Sequence, residues 1–212
     1  MEGSVFIEAR AFLERLFEGE SSGHDIWHTV RVHDLAVLIC REEGGDMDVV
    51  RLAALLHDAD DRKLFGDNGY ANARAFMESQ GVPAEMQDKI IRIISQVSFK
   101  GTDSVVPDTV EGMIVQDADR MDAIGAIGIA RAFAFGGSRG RPMYDPNVPP
   151  NVGMDGDAYA RNQGTTINHF HEKLLLLKGM MNTPTAKRMA DARHRYMESF
   201  LEEFIGEWDG RL

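Results

Sequence analysis

A chain of 212 residues is long enough to bury one substantial core, and its single cysteine, Cys40, rules out an internal disulfide. Thirty-four acidic residues against 23 basic ones give a formal net charge of -11, which argues against duplex nucleic acid, whose phosphates demand clustered Lys and Arg. The start lacks the basic segment and apolar run of a signal peptide, and no uninterrupted stretch of about 18 apolar residues occurs, so the expectation is a soluble, cytoplasmic protein with no membrane partner.

Apolar residues recur at three- and four-residue spacing along most of the chain, the period of a helix face. Phe6, Phe12, Leu13, Leu16 and Phe17 mark a first helix, and Val32, Leu35, Ala36 and Ile39 a second. Ser22-Gly23-His24-Asp25 has the spacing of a capping box, so the second helix is expected to begin there and to end near Gly44 and Gly45. Further helices are expected over 48–57, 71–79, 83–96, 110–134, 165–181 and 185–208. No β-branched alternation bounded by turn residues competes with them.

The fold class is therefore all-α, a single helical-bundle domain over 1–212, with its core in about 20–135, a loop at 136–164 and C-terminal helices at 165–208. That loop is rich in Gly, Pro and Asn and longer than an ordinary connector, which marks it as lid-like; Arg139, Arg141 and Tyr144 are its notable side chains.

Each of the seven histidines has a plain reading as a surface or hydrogen-bonded residue. His33 and His194 lie on charged helical segments and are expected at the surface, and His24 opens a helix. His169 and His171 are two positions apart, so on a helix at most one of them points at a given site. His28 and His57 differ because both sit against apolar helix faces. His57 ends the run LAALL and is followed by Asp58, a carboxylate that is costly to bury without a counter-charge. In a third segment, Asp117, Asp119 and Asp122 interrupt an otherwise apolar helix.

One divalent ion would compensate these acids. Imidazole and carboxylate donors together suit a first-row metal and leave positions open for water and substrate. Neighbouring residues on a helix diverge by about 100°, so His57 and Asp58 can share an ion only from a helix end or a distorted turn.

Taken together, His28 in HTVRV, His57-Asp58 in LLHDADD and an Asp in QDADRMDA resemble the metal-binding signature of the HD-domain metal-dependent phosphohydrolase superfamily. The blocks SGHDIWHTVRV, SFKG, VQDADRMDAIGAIGIARAFAFGG, YDPN and INHFHEKLLLLK resemble its small stand-alone bacterial YpgQ-like branch over most of the length. The resemblance implies a metal held by His28, His57, Asp58 and Asp119, with Asp117 as the alternative fourth ligand. It implies one divalent ion, manganese first, with Mg, Fe, Co, Ni or Zn as alternatives.

The implied partner is a small phosphorylated substrate, a nucleotide, hydrolysed with release of pyrophosphate from a triphosphate. Asp61, three residues after Asp58, matches an acidic residue of related alarmone hydrolases and is the candidate general acid or base. Arg31, Lys63, Lys100 and Arg120 are the candidate phosphate contacts. The rival readings are a phosphodiesterase or alarmone hydrolase and a non-catalytic metal-binding regulatory module. Gly125 and Gly128 are expected to admit a close neighbouring helix.

Overall fold

The computed structural model describes residues 3–19 and 25–211, the side chains of Arg62 and Lys63 excepted. Among the described residues every regular element is helical and none is a strand. The chain folds as two compact units, Met1–Ser98 with Val105–Asp119, and Phe99–Ser104 with Arg120–Leu212. No described helix is long and apolar enough to cross a membrane.

The first unit is built around α3 (Met47–Leu56), seven of whose ten residues are buried. Asp46 caps its start by accepting from the backbone N–H groups of Asp48 and Val49. Three helices pack on it: α1 (Gly3–Leu16), α2 (Ile26–Glu43) and α6 (Ala84–Val97). Leu13, Ile39, Leu52, Leu56, Ile90 and Ile93 fill the interior between them. Two small helices, α4 (Arg62–Phe65) and α5 (Ala71–Ser79), follow α3. α7 (Val110–Asp122) lends the first unit its residues through Asp119.

The start of α2 differs from the capping-box expectation. Asp25 is itself the N-cap, and its carboxylate accepts from the N–H of His28 at 2.8 Å. Ser22, Gly23 and His24, on which the expectation rested, lie outside the described residues.

The second unit holds α8 (Gly125–Ser138), α9 (Gly156–Arg161), α10 (Thr166–Glu172), a 3-10 segment over Leu174–Met180 and the long α11 (Pro184–Trp208). α11 packs on α8, and Phe133, Phe170, Phe200 and Phe204 meet there with ring centroids 5.8–6.3 Å apart. The Gly/Pro-rich loop is tied to α10. The N–H groups of Thr166 and Ile167 donate to the carbonyls of Pro142 and Met143, and the Asn168 amide donates to that of Val148. Tyr144 sets its ring edge-on to Trp208 at 5.2 Å.

Two helix expectations are corrected here. The helix read over 110–134 breaks between Asp122 and Gly125, where Gly125 adopts φ +75° beside the Arg193 side chain of α11. The helix read over 165–181 ends at Glu172 and continues as a 3-10 segment. Gly125 does admit a neighbouring helix, but Gly128 instead backs onto the carbonyl of Ala123, two residues before α8 begins.

Candidate metal centre

The end of α3 sets the site. His57 is its C-cap, and residues 57–60 continue as turns, so two adjacent side chains leave the helix end in directions a regular helix would forbid. His57 Nδ1 lies 2.8 Å from the carbonyl oxygen of Ala54. That nitrogen carries the proton and donates, which turns the lone pair of Nε2 the other way.

Opposite it stands His28, in the first turn of α2 and 1% exposed; the two Nε2 atoms are 3.3 Å apart. The Asp58 carboxylate spans both rings, with Oδ2 3.3 Å from His28 Nε2 and Oδ1 3.4 Å from His57 Nε2. From α7, Asp119 Oδ1 approaches the same two nitrogens at 3.5 and 3.8 Å. Ligand atoms of His28, His57 and Asp119 all lie within 4.8 Å of one another.

The donor set fits a metal. Atoms held about 2.1 Å from one ion lie about 3.0 Å apart at right angles and about 3.4 Å apart at tetrahedral angles. The distances between neighbouring donors here are of that size. Without a cation the arrangement is unfavourable, because two carboxylates and an imidazole lone pair converge in a buried place. His28, His57 and Asp58 are each less than 9% exposed.

The acids that follow divide their work. Asp60, which no periodicity singled out, is buried and caps α5, accepting from the Asn68 amide at 2.6 Å and from the N–H groups of Asn72 and Ala73 at 2.9 Å. Its partners lie 8 to 13 residues downstream, a separation with no local signal. Asp61 is half-buried, and its N–H closes the turn onto the Asp58 carbonyl at 3.1 Å. Asp117 is fully buried, whereas the Asp119 side chain is 26% exposed.

The expected phosphate contacts are scattered. Arg31 is half-buried one turn after His28 on α2. Lys63 lies on α4, with its side chain outside the described residues. Lys100 is exposed and belongs to the second unit, where its N–H donates to Ser104 Oγ at 2.8 Å. Arg120, also of the second unit, is 3% exposed and donates to the Met180 carbonyl.

Two histidines read as surface residues are partly buried instead. His33 bridges Asp34, at 2.9 Å, and the Arg51 guanidinium, at 3.3 Å. His194, with a side chain 14% exposed, faces Glu198 one turn on. His169 stacks on Tyr159 in the second unit, and His171 is exposed.

Comparison with known proteins decides the family. Residues 26–124, which contain His28, His57, Asp58 and Asp119, match the HD domain. Over 92% of its length the chain is 40% identical to YpgQ of Bacillus subtilis (strain 168), of which it covers 90%. The chain belongs to the HD-domain family.

Solved structures agree along the whole HD chain. A Lactobacillus plantarum protein is 36% identical with a TM-score of 0.89, over 99% of both chains. An HD-superfamily hydrolase from Bacillus thuringiensis is 41% identical with a TM-score of 0.75, over 96% of both. YpgQ, solved in complex with ADP, is 36% identical with a TM-score of 0.75, over 95% of this chain and 97% of that one. The chain is thus an HD-superfamily hydrolase, a metal-dependent phosphohydrolase.

Proposed function

We propose that this enzyme hydrolyses nucleotides, splitting nucleoside triphosphates to monophosphate and pyrophosphate. The observation that carries the reading is the convergence of His28, His57, Asp58 and Asp119, with the two imidazole nitrogens 3.3 Å apart. The nucleotide preference is supported by the relative YpgQ, whose structure holds ADP.

A divalent ion held by these four residues, with manganese the ion we favour, would supply positive charge for phosphoryl oxygens and lower the pKa of water beside them. The protein prepares that place in advance. The Ala54 carbonyl holds the proton of His57 on Nδ1, so the imidazole stays oriented and keeps Nε2 free to ligate. Asp61, on the turn just after Asp58, is the proposed proton acceptor and donor. Arg31, a turn from His28, and Lys63 are the proposed phosphate contacts of the first unit. Lys100 is a further candidate, and Arg120 fits that role least well because of its burial and its bond to Met180. A cytoplasmic setting accompanies this reading.

The test is product analysis. Purified protein with Mn or Mg and a panel of nucleotides, resolved by anion exchange, is expected to yield monophosphate plus pyrophosphate from triphosphates. Consumption of cyclic or bis-phosphorylated nucleotides alone would assign a phosphodiesterase or alarmone hydrolase. No turnover with any metal would leave a non-catalytic metal-binding module.

A further inference from the structure

The second unit carries a cavity of about 260 Å³ that the metal chemistry does not use. It is smaller than the range of about 300–1,000 Å³ that takes a whole drug-sized ligand, which suits one ring system. Phe99 and Tyr159 supply aromatic wall, meeting edge to face at 5.0 Å, and Thr102, Met154 and Glu172 also line it. The walls are tied together. The N–H of Thr102 donates to the Met154 carbonyl and that of Gly156 to Asp103 Oδ2, both at 2.9 Å. Gly101, at φ +56°, lets the Met154 backbone approach where a Cβ would collide with it.

Glu172 gives the cavity its chemical character. It is 4% exposed, and its carboxylate accepts from the Asn151 N–H at 2.9 Å and from the Asn162 amide at 2.6 Å. Both donors are neutral and no cation is paired to it among the described residues, while Lys173 sets its ammonium over the Phe99 and Tyr159 rings, 5.1 and 5.9 Å from their centroids. A carboxylate offers about four acceptor positions and no donor. Two remain for a ligand, which must bring N–H or O–H groups. Beside aromatic walls, a flat ring with two adjacent N–H donors meets both requirements.

We infer that this cavity binds a nucleobase, with Tyr159 and Phe99 contacting the ring and Glu172 accepting from its edge, and that guanine fits it best. Guanine presents its ring N–H and exocyclic amine side by side. Adenine and cytosine set a ring acceptor next to their amine, and that lone pair would face the carboxylate. Hypoxanthine keeps the ring N–H but lacks the amine. Glu172 is accordingly a specificity-determining residue.

The inference stands apart from the hydrolysis reading, because a nucleoside has no phosphate and needs no ion. Titration calorimetry of the whole protein in chelator, with guanosine, inosine and adenosine, tests it. Guanosine is expected to bind about ten-fold or more tighter than inosine, since a site built for a donor rejects the analogue without it. Glu172→Gln should remove that preference. Tyr159→Leu should weaken all three nucleosides alike and keep their ratio, which separates loss of ring contact from loss of edge recognition and from misfolding. Adenosine binding as tightly as guanosine, unchanged guanosine affinity in Glu172→Gln, or no heat with any nucleoside at millimolar concentration would each overturn it. Guanosine binding in a protein that hydrolyses no nucleotide would sink only the nucleotide-hydrolysis reading.

Discussion

At the scale of single residues, the choice between Asp117 and Asp119 is one of exposure and direction. Asp119 reaches to within 3.5 Å of His28 Nε2, while Asp117, two positions earlier on α7, is fully buried. Asp119→Asn should therefore abolish the thermal stabilisation that Mn gives the wild type, a stabilisation that grows as RT ln(1 + [L]/Kd). In chelator the same variant should be no less stable than the wild type, because it removes one of two converging carboxylates. Asp117→Asn should show the reverse pattern, losing about 1–3 kcal/mol of stability as a buried group changes its bonds while keeping the Mn response. Melting curves of both variants with and without Mn check this, and a full Mn shift in Asp119→Asn would move the ligand to Asp117.

His57 and Asp58 were legible because the apolar run LAALL fixed which face was buried before the charges began. Asp60 was not, because its partners are supplied by a turn of chain that folds back from Asn68 to Ala73. Glu172 stayed hidden for a similar reason. It reads as one more polar residue in NHFHEK, and its carboxylate is met by loop donors from Asn151 and Asn162.

At the scale of elements, the existence of the longer helices followed from periodicity, while the short α4 and α9, the latter inside the segment read as loop, and the breaks depended on backbone geometry that periodicity does not record. Residues 71–79 match α5, and 185–208 falls one residue inside the start of α11. The break before α8 comes from Gly125, which sits at φ +75° with Arg193 Cβ only 3.0 Å from where its own Cβ would be. Gly125→Ala is expected to cost about 1–3 kcal/mol through a conformation that L side chains avoid, read as a lower denaturant midpoint.

The joints between elements carry a pH dependence as well. Glu111, in the first turn of α7, accepts from the Asp46 N–H at the start of α3 and from Lys89 of α6 at 2.9 Å. Burial pushes its carboxyl up, but these hydrogen bonds and the Lys89 charge outweigh burial and leave it below the usual carboxylate range. A depressed folded-state value means the stabilisation is complete above the unfolded pKa, about 4.3, and is lost as pH falls through the folded value. Glu111→Gln should cost about 1–3 kcal/mol at pH 7. The gap to the wild type should hold down to about pH 5 and close in more acidic solution, as followed by urea unfolding at a series of pH values.

For the whole molecule, the central question is what the ion holds together. Every group of the metal cluster belongs to the first unit, whose interior is filled by α3 and its apolar neighbours. Removing the metal should therefore abolish hydrolysis and leave the helical circular dichroism almost unchanged, because the residues that fill the interior are Leu and Ile. The stabilisation lost should be local, since parts of a protein open with different free energies.

The sequence provides a reporter for each unit. Its two tryptophans are divided between them, with Trp27 next to His28 at the start of α2 and Trp208 at the end of α11 beside Tyr144 and Phe204. Trp208→Phe leaves Trp27 to report on the first unit, and Trp27→Phe leaves Trp208 to report on the second. Adding Mn to chelated protein should raise the melting temperature read through Trp27 by more than that read through Trp208. Equal shifts from both reporters would mean that the two units melt as one, or that the ion is bound through groups other than His28, His57, Asp58 and Asp119. Repeating the measurement on Asp119→Asn separates these outcomes, because a single cooperative melt predicts that both shifts vanish together, whereas an ion held elsewhere predicts that both persist.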